Sequence, residues 1–306
     1  MTVKTILISG ANGYIGLHMA TLLESLNYRV LKATRDSHGD LLMDFTDPDK
    51  IAEMKYSDID VMIHLVSPSE NMHSESNHEA IIDNTAKVRA ALTFCENNKI
   101  SSFIYVSSFH VFGVSPGELT EDSPPMPINN YGLAHYEAEQ TVIRFNGTNG
   151  VRTWIVRPSN VFGVPKDLAK FKRWNLIPFA FCEEAVNNHK IILRTSGKQL
   201  RNFVGVTDLC RRIAWIIREK PSYEILHAYG EETMSVLNYA YLVQKVSQER
   251  FNMPVQIIHP EVEEKVVHFQ FTSSNDCPEL YPTESLEIFV YEMLGELLKR
   301  SSERKY

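Results

Sequence analysis

The 306-residue chain contains no run of about 18 apolar residues, so it offers no segment that reads as a membrane span. Cysteine is scarce. Cys95, Cys182, Cys210 and Cys277 form no CxxC pair and match no zinc spacing, which excludes a zinc ribbon and a disulfide framework. They read as free thiols in a reducing compartment, and no metal site is expected. Long basic runs are also missing. With 31 Lys and Arg against 38 Asp and Glu, the formal net charge is −7, so nucleic acid is not an expected partner. The short tail from Lys299-Arg300 to Arg304-Lys305 reads as a frayed helix end. There is no Gly/Ser-rich linker, internal repeat or low-complexity tract. Met1-Thr2-Val3-Lys4 leads straight into a strand-like run with no leader pattern, and the expected location is cytoplasmic. What is present is an ordinary globular balance, 43% hydrophobic and 23% charged, on a chain long enough for a large core.

Short apolar runs alternate with helical periodicity through the first half. Strands are expected at Val3–Ser9, Tyr28–Ala33, Asp40–Asp44, Asp60–Val66, Phe103–Ser107 and Val151–Val156. Helices are expected from Tyr14 onward, where Ile15, Met19, Leu22 and Leu26 recur on one face, and at Glu79–Asn97 and Tyr131–Phe145. That alternation implies a parallel sheet covered on both faces and wound with right-handed crossovers. Beyond Pro158 the rhythm loosens. Short strands (Ile191–Leu193, Asn202–Val204, Ile225–Ala228, Val255–Ile258) mix with helices near Asp208–Arg218, Ser235–Gln248 and Ser285–Leu298. The fold class expected is therefore α/β: a doubly wound parallel sheet with a smaller C-terminal α+β region. A dinucleotide-binding domain over residues 1–160 is followed by a substrate-binding domain over 161–306, with some chain exchange between them.

Gly10-Ala11-Asn12-Gly13-Tyr14-Ile15-Gly16 lies where the first strand becomes a helix. Glycines suit that place because the turn is tight and a pyrophosphate must approach bare backbone. The N–H groups and dipole of the helix then hold the phosphate charge. The strand before it and the amphipathic helix after it give the pattern its Rossmann-type context. At the end of the second strand an acidic residue would bind the ribose hydroxyls and repel a 2′-phosphate. Ala33-Thr34-Arg35 stands there instead, so Arg35 can pair with a 2′-phosphate and NADP(H) is expected ahead of NAD(H). Asp36 directly after it works against that preference.

From this point the motifs accumulate in order: Asp44-Phe45, His64-Leu65-Val66-Ser67, Asn84, Tyr105-Val106-Ser107-Ser108, Phe112-Gly113, Tyr131-Gly132-Leu133-Ala134-His135, Arg157-Pro158-Ser159-Asn160-Val161-Phe162-Gly163 and Arg201-Asn202-Phe203-Val204. The set resembles the extended short-chain dehydrogenase/reductase family, whose members largely act on nucleotide-activated sugars. The resemblance implies that Gly10, Asn12, Gly13, Tyr14, Ile15, Gly16, Thr34 and Arg35 hold the dinucleotide and that Asp44 and Phe45 contact its adenine. Leu65, Val66 and Ser67 would line the cleft, Asn84 would support the cofactor side, and Ser107, Tyr131 and His135 would also contact the cofactor. Pro158 would pass the nicotinamide, and Ser67, Ser108, Asn160 and Arg201 would meet the substrate, Arg201 at its diphosphate. A homodimer formed through the helices Glu79–Asn97 and Tyr131–Phe145 is implied in the same way.

The family's chemistry uses Ser or Thr, Tyr and Lys. By resemblance Tyr131 is the proton donor and Ser108, five residues before Gly113, the polarising hydroxyl, with Ser107 its neighbouring alternative. Where the family has lysine four residues after the tyrosine, on the same helix face, this chain has His135. Lysine there binds the nicotinamide ribose and lowers the tyrosine pKa. Three readings of His135 are open: a protonated ribose ligand, a neutral donor beside a tyrosine of ordinary high pKa, or a mark of lost catalysis in a protein that only binds NADP(H).

Family members that dehydrate carry Asp-Glu where this chain has Phe109-His110. Those that epimerise beside a ketone before reducing it carry Cys and His where it has Phe109 and Pro165. Epimerases that recycle NAD usually keep an acidic residue where Thr34 stands. The expected function is NADPH-dependent reduction of a keto group, most simply the 4-keto group, on a nucleotide-linked deoxysugar. An NAD(P)-dependent epimerase and a non-catalytic NADP(H) binder are the alternatives. Trp174, Asn175, Leu176 and Phe179 are expected to line the sugar pocket.

Overall fold

The computed structural model describes residues 3–36, 38–67, 78–113, 116–261 and 267–303, with side chains of the helix beginning at His78 described from Ile81 onward. The first half runs β1 (Thr5–Ser9), α1 (Tyr14–Ser25), β2 (Arg29–Thr34), β3 (Leu41–Leu42), α2 (Pro48–Glu53), β4 (Val61–His64), α3 (His78–Asn97), β5 (Ser102–Val106), β6 (Gly117–Leu119), α4 (Asn130–Phe145) and β7 (Arg152–Pro158). The second half runs β8 (Asn160–Phe162), α5 (Ile177–Asn188), β9 (Lys190–Ile192), β10 (Leu200–Gly205), α6 (Val206–Glu219), β11 (Ile225–Ala228), β12 (Thr233–Ser235), α7 (Val236–Phe251), β13 (Gln256–Ile258), β14 (Phe269–Phe271) and α8 (Leu286–Glu303).

Seven parallel strands form the main sheet in the order β11-β7-β5-β4-β1-β2-β3. Because successive strand side chains point to opposite faces, Ile6 and Ile8 of β1 pack on one side and Leu7 on the other. The first face is closed by α1 and α6 through Met19, Leu23, Leu209, Ile213 and Ile216. The second is closed by α3 and α4 through Val88, Leu92, Phe94, Ala138 and Val142. This is the doubly wound Rossmann arrangement expected from the alternation of elements. A separate core of α5, α7 and α8, built on Phe179, Cys182, Tyr239, Val243, Phe289 and Met293, forms the smaller region.

Three placements differ from the sequence expectation. Ile225–Ala228, expected in the smaller region, pairs with β7 at the edge of the main sheet, so the chain returns to the first layer after leaving it. A four-residue apolar strand carries no signal for which sheet it joins. The segment Ile177–Asn188 is helical although its start has no side-chain cap; Pro178 fits its first turn, where no backbone N–H is needed. Pro48–Glu53 is a further short helix, capped by Asp47, whose side chain accepts from Lys50 N at 3.2 Å. Arg304 and Lys305 of the basic tail lie outside the described residues. Among the described residues no helix is long and apolar enough to cross a membrane.

Candidate active site

The strand order reverses between β1 and β4, which opens a crevice at their C-terminal ends. The glycine turn lies there. Gly10 has φ +75°, a left-handed conformation that a side chain would strain. At Gly16 a Cβ would fall 2.4 Å from the Gly10 carbonyl oxygen and 2.7 Å from that of Ala11. The start of α1 therefore packs directly on the turn. Among the described residues no side chain caps α1, and its first turn carries no acidic residue, so the N–H groups of Tyr14, Ile15 and Gly16 are free of both. Asn12 and Gly13 are exposed at the mouth. Tyr14 turns away: its hydroxyl donates to the Gly163 carbonyl at 2.9 Å and its ring meets Phe171 and Phe179 edge-on. We expect Gly16→Ala to weaken dinucleotide binding at least about tenfold and to cost about 1–3 kcal/mol of stability, since the obstructing atoms are backbone. Titration of reduced-nicotinamide fluorescence checks this. Unchanged affinity would show that the turn does not hold the cofactor.

Around the crevice, Leu65, Val66 and Ser67 are half-buried. Thr34 is buried, and its hydroxyl donates to the Asp36 carbonyl at 2.8 Å. The Asp36 carboxylate accepts from Thr34 Oγ1 and from His38 N, and these hydrogen bonds, that from His38 N first, hold its pKa down. Arg35 stands exposed beside it. Asp44 is exposed and accepts from Thr46 N at 3.1 Å, whereas the Phe45 ring is buried edge-on to His64 with centroids 5.0 Å apart.

The chemical groups meet where β5 ends and α4 begins. Asn129 caps α4 by accepting from Gly132 N at 2.8 Å. A Cβ on Gly132 would fall 2.4 Å from the His110 carbonyl oxygen, so glycine lets the helix carrying Tyr131 press against the turn Phe109–Phe112 that follows Ser108. Ser108 is buried, and its Oγ accepts from His110 N at 3.3 Å, which leaves the hydroxyl proton to donate elsewhere. Ser107 is different: its hydroxyl donates to Glu139 Oε1 at 2.6 Å. Tyr131 lies between two histidines, edge-on to His110 with centroids at 5.4 Å and to His135 at 4.7 Å. Ser108, Tyr131 and His135 are thus brought together, with His110 as an added neighbour.

His135 is 1% exposed. Its Nδ1 lies 2.8 Å from Tyr105 Oη, and its Nε2 is buried without a partner among the described residues. Burial, followed by the charges of His110 and Arg173, pulls its pKa down to about 3, so the ring is neutral at physiological pH. Asn84, fully buried, donates from Nδ2 to the Ala134 carbonyl at 3.0 Å and to Tyr105 Oη at 3.5 Å, which ties α3 to α4 behind the site.

Two residues of this cluster had no role in the sequence reading. Glu139 receives Arg157 Nε at 2.9 Å and Nη2 at 2.7 Å, a bidentate pair almost wholly out of solvent. It follows His135 by four residues on the same helix face, the spacing that could have found it. Tyr105, on β5, is two residues before Ser107, which follows the strand's end, and so points to the same side.

On the substrate side, Ser159 Oγ is buried without a partner among the described residues, and Asn160 Nδ2 donates to the Asn202 carbonyl at 2.8 Å. Arg201 is half-buried and its Nη1 donates to the Leu200 carbonyl at 2.8 Å. Among the described residues no group of three or more His, Cys, Asp or Glu is placed to hold a metal.

Buried neutral histidines set an acid limit on the fold. Burial lowers His64 and His135 to about 3 and His227 to about 4. The unfolded chain binds protons on these rings below about pH 6.5 and the folded chain does not, so stability falls as pH drops through that window. Each ring contributes a slope that grows toward about 1.4 kcal/mol per pH unit, about 1 kcal/mol over this window, so at least about 2 kcal/mol should be lost between pH 6.5 and 5.5. Urea unfolding at the two pH values measures it. An equal or higher stability at the lower pH would mean that these rings are charged in the fold.

Residues 6–228 match the model of the NAD dependent epimerase/dehydratase family. Among curated proteins the chain is similar to a putative UDP-glucose 4-epimerase of Methanocaldococcus jannaschii, 26% identical over 221 residues, covering 67% of this chain and 71% of that one. It is also 25% identical over 267 residues to the dTDP-4-dehydro-6-deoxy-D-allose reductase of Streptomyces bikiniensis, covering 79% and 81%. Its fold matches the structure of a UDP-glucose 4-epimerase from Thermotoga maritima with UDP-glucose at a TM-score of 0.77, with 19% identity and 98% and 99% of the two chains covered.

Proposed function

Since the chain belongs to the NAD dependent epimerase/dehydratase family, we propose that it reduces a keto group, the 4-keto group, of a nucleotide-linked deoxysugar with NADPH. The observation that carries this reading is the neutral, buried His135 beside Tyr131. A lysine at that place would lower the tyrosine pKa and make it a base. Neutral imidazole supplies no such charge from that place, which suits a tyrosine that gives a proton and ill suits one that must take it. An epimerase must take that proton in its first half-reaction, so the same feature weighs against the epimerase alternative.

The residues present fit the cofactor: bare glycine backbone and uncapped N–H groups for the pyrophosphate, Leu65–Ser67 for the cleft wall, and the unpartnered His135 Nε2 at the ribose. When bound, the reduced nicotinamide supplies the hydride. Ser108 donates a hydrogen bond to the carbonyl oxygen and Tyr131 delivers the proton to that same oxygen. Ser107 is committed to Glu139, which favours Ser108 for this task. Exposed Arg35, with the neighbouring Asp36 carboxylate drawn into its own loop, supports a 2′-phosphate and hence NADPH over NADH. Half-buried Arg201 suits the substrate diphosphate. The paired helices α3 and α4 are the candidate homodimer face.

The test offers purified protein NADPH or NADH with a panel of dTDP-, CDP- and GDP-4-keto-6-deoxysugars. Consumption of NADPH with one sugar alcohol as product is expected. Cofactor binding without turnover across the panel would leave a binder, and interconversion of UDP-sugars with no net cofactor use would leave an epimerase.

A further inference from the structure

We infer that Tyr105 is a positioning residue that locks His135 in the tautomer carrying its proton on Nε2 and so presents a neutral donor to a hydroxyl of the cofactor's nicotinamide ribose. The inference rests on the functional reading above and adds a residue and a mechanism that the lysine-bearing pattern does not contain.

Asn84 fixes the first hydrogen bond of the network. Its Nδ2 faces the Ala134 carbonyl at 3.0 Å, which must accept, so the amide cannot be turned round without setting two oxygens together. The second Nδ2 hydrogen points to Tyr105 Oη at 3.5 Å. Tyr105 is fully buried, and burial raises its pKa, so its hydroxyl keeps its proton. With Asn84 donating to the oxygen, that proton goes to His135 Nδ1 at 2.8 Å. Nδ1 is therefore the acceptor, and in a neutral ring the remaining proton is on Nε2. The network, from Asn84 through Tyr105 to His135, assigns the tautomer.

The other end of the ring then matters. Nε2–H is buried and has no partner among the described residues. Leaving such a donor unpaired is costly, and a hydroxyl oxygen supplied by a ligand removes the cost. The donor sits one helical turn from Tyr131, whose ring touches that of His135, so the acceptor lies beside the proton donor of the reaction. Imidazole is shorter than a lysine stem, and a fixed tautomer gives it what flexible reach gives lysine: a donor always facing the same way. The Tyr105 pairing exists because a ring nitrogen stands at position 135.

Two-bond nitrogen–proton NMR correlations of His135, assigned with a His135→Gln variant, read the tautomer directly in the unmodified protein. Nε2 protonated and Nδ1 bare is the expected pattern, with the Nε2 resonance moving when NADPH is added. Tyr105→Phe should mix the tautomers and weaken NADPH binding about three- to tenfold, the effect of one neutral hydrogen bond. The same substitution in a His135→Lys background should change NADPH binding less than about twofold, because lysine asks for no tautomer. A proton on Nδ1, an Nε2 resonance unmoved by NADPH, or an equal loss in both backgrounds would overturn the inference. None of these readouts is turnover, so a protein with this tautomer and NADPH response that reduces no sugar would fail the functional reading alone.

Discussion

Tyr131→Phe should lower the rate of ketone reduction by about 10²–10⁴-fold, the usual worth of a positioned general acid, while NADPH binding changes less than about twofold. The substitution removes one oxygen and keeps the ring. That ring is held edge-on by His110 at 5.4 Å and His135 at 4.7 Å, and both contacts are available to phenylalanine. Helix α4 keeps its Asn129 cap and its close contact at Gly132. The loss should therefore fall on kcat, with the unfolding midpoint unmoved. Steady-state kinetics and urea unfolding of the same preparation separate the two. If kcat survives within tenfold, the proton comes from elsewhere, and His110, the ring adjacent to Tyr131, is the first alternative. If affinity and stability fall together with kcat, Tyr131 is a packing residue and the proposed chemistry loses its centre.

The second large effect is structural and reaches the site through one carboxylate. Glu139→Ala should cost about 3–5 kcal/mol, because it leaves the Arg157 guanidinium charged and unpaired in the interior. Glu139 is 0% and Arg157 2% exposed, and Arg157 Nη1 is already without a partner among the described residues. The substitution also removes the acceptor of the Ser107 hydroxyl. Against a typical total of about 5–15 kcal/mol, such a loss lowers soluble yield as well as the unfolding midpoint. Glu139→Gln, which keeps the shape and part of the hydrogen bonding, should cost less. Ser107 adjoins Ser108, and Arg157 adjoins Pro158, so the pair also anchors the two strand ends that flank the reacting group. Activity of the folded fraction should fall too. A measured cost below about 1 kcal/mol would show that solvent or another group can serve Arg157.

The two effects are legible in the sequence to different degrees, and the physical reason is range. The glycine turn, the strand before it and the helix after it are local, so residues 10–16 announce their own geometry. The alternating strands and helices of the first half are local in the same sense, and the order of the sheet follows from connection rules. Helix α5 is hard to read because no side chain caps its start at Leu176, which leaves Pro178 in the first turn as a lone start signal. Strand β11 was visible as a strand but not as a member of the main sheet, since its partner β7 lies some 70 residues earlier. Tyr131 and His135 share a helix turn and could be paired by spacing. Tyr105 and His135 are 30 residues apart on different elements, and their hydrogen bond follows only once β5 is packed on α4. The sequence raised the histidine as a question with three answers. Its burial removes the protonated one from physiological pH, and the functional tests decide between the other two.

Label transfer tests the central claim most directly. The protein is given its accepted 4-ketosugar nucleotide with NADPH carrying deuterium on the transferable position of the nicotinamide, and the sugar product is analysed by mass spectrometry and NMR. The account predicts one deuterium on the former carbonyl carbon of a single sugar alcohol, with one NADP⁺ released for each product. A sugar product without the label, or an epimerised nucleotide sugar formed with no NADPH oxidised, would contradict it.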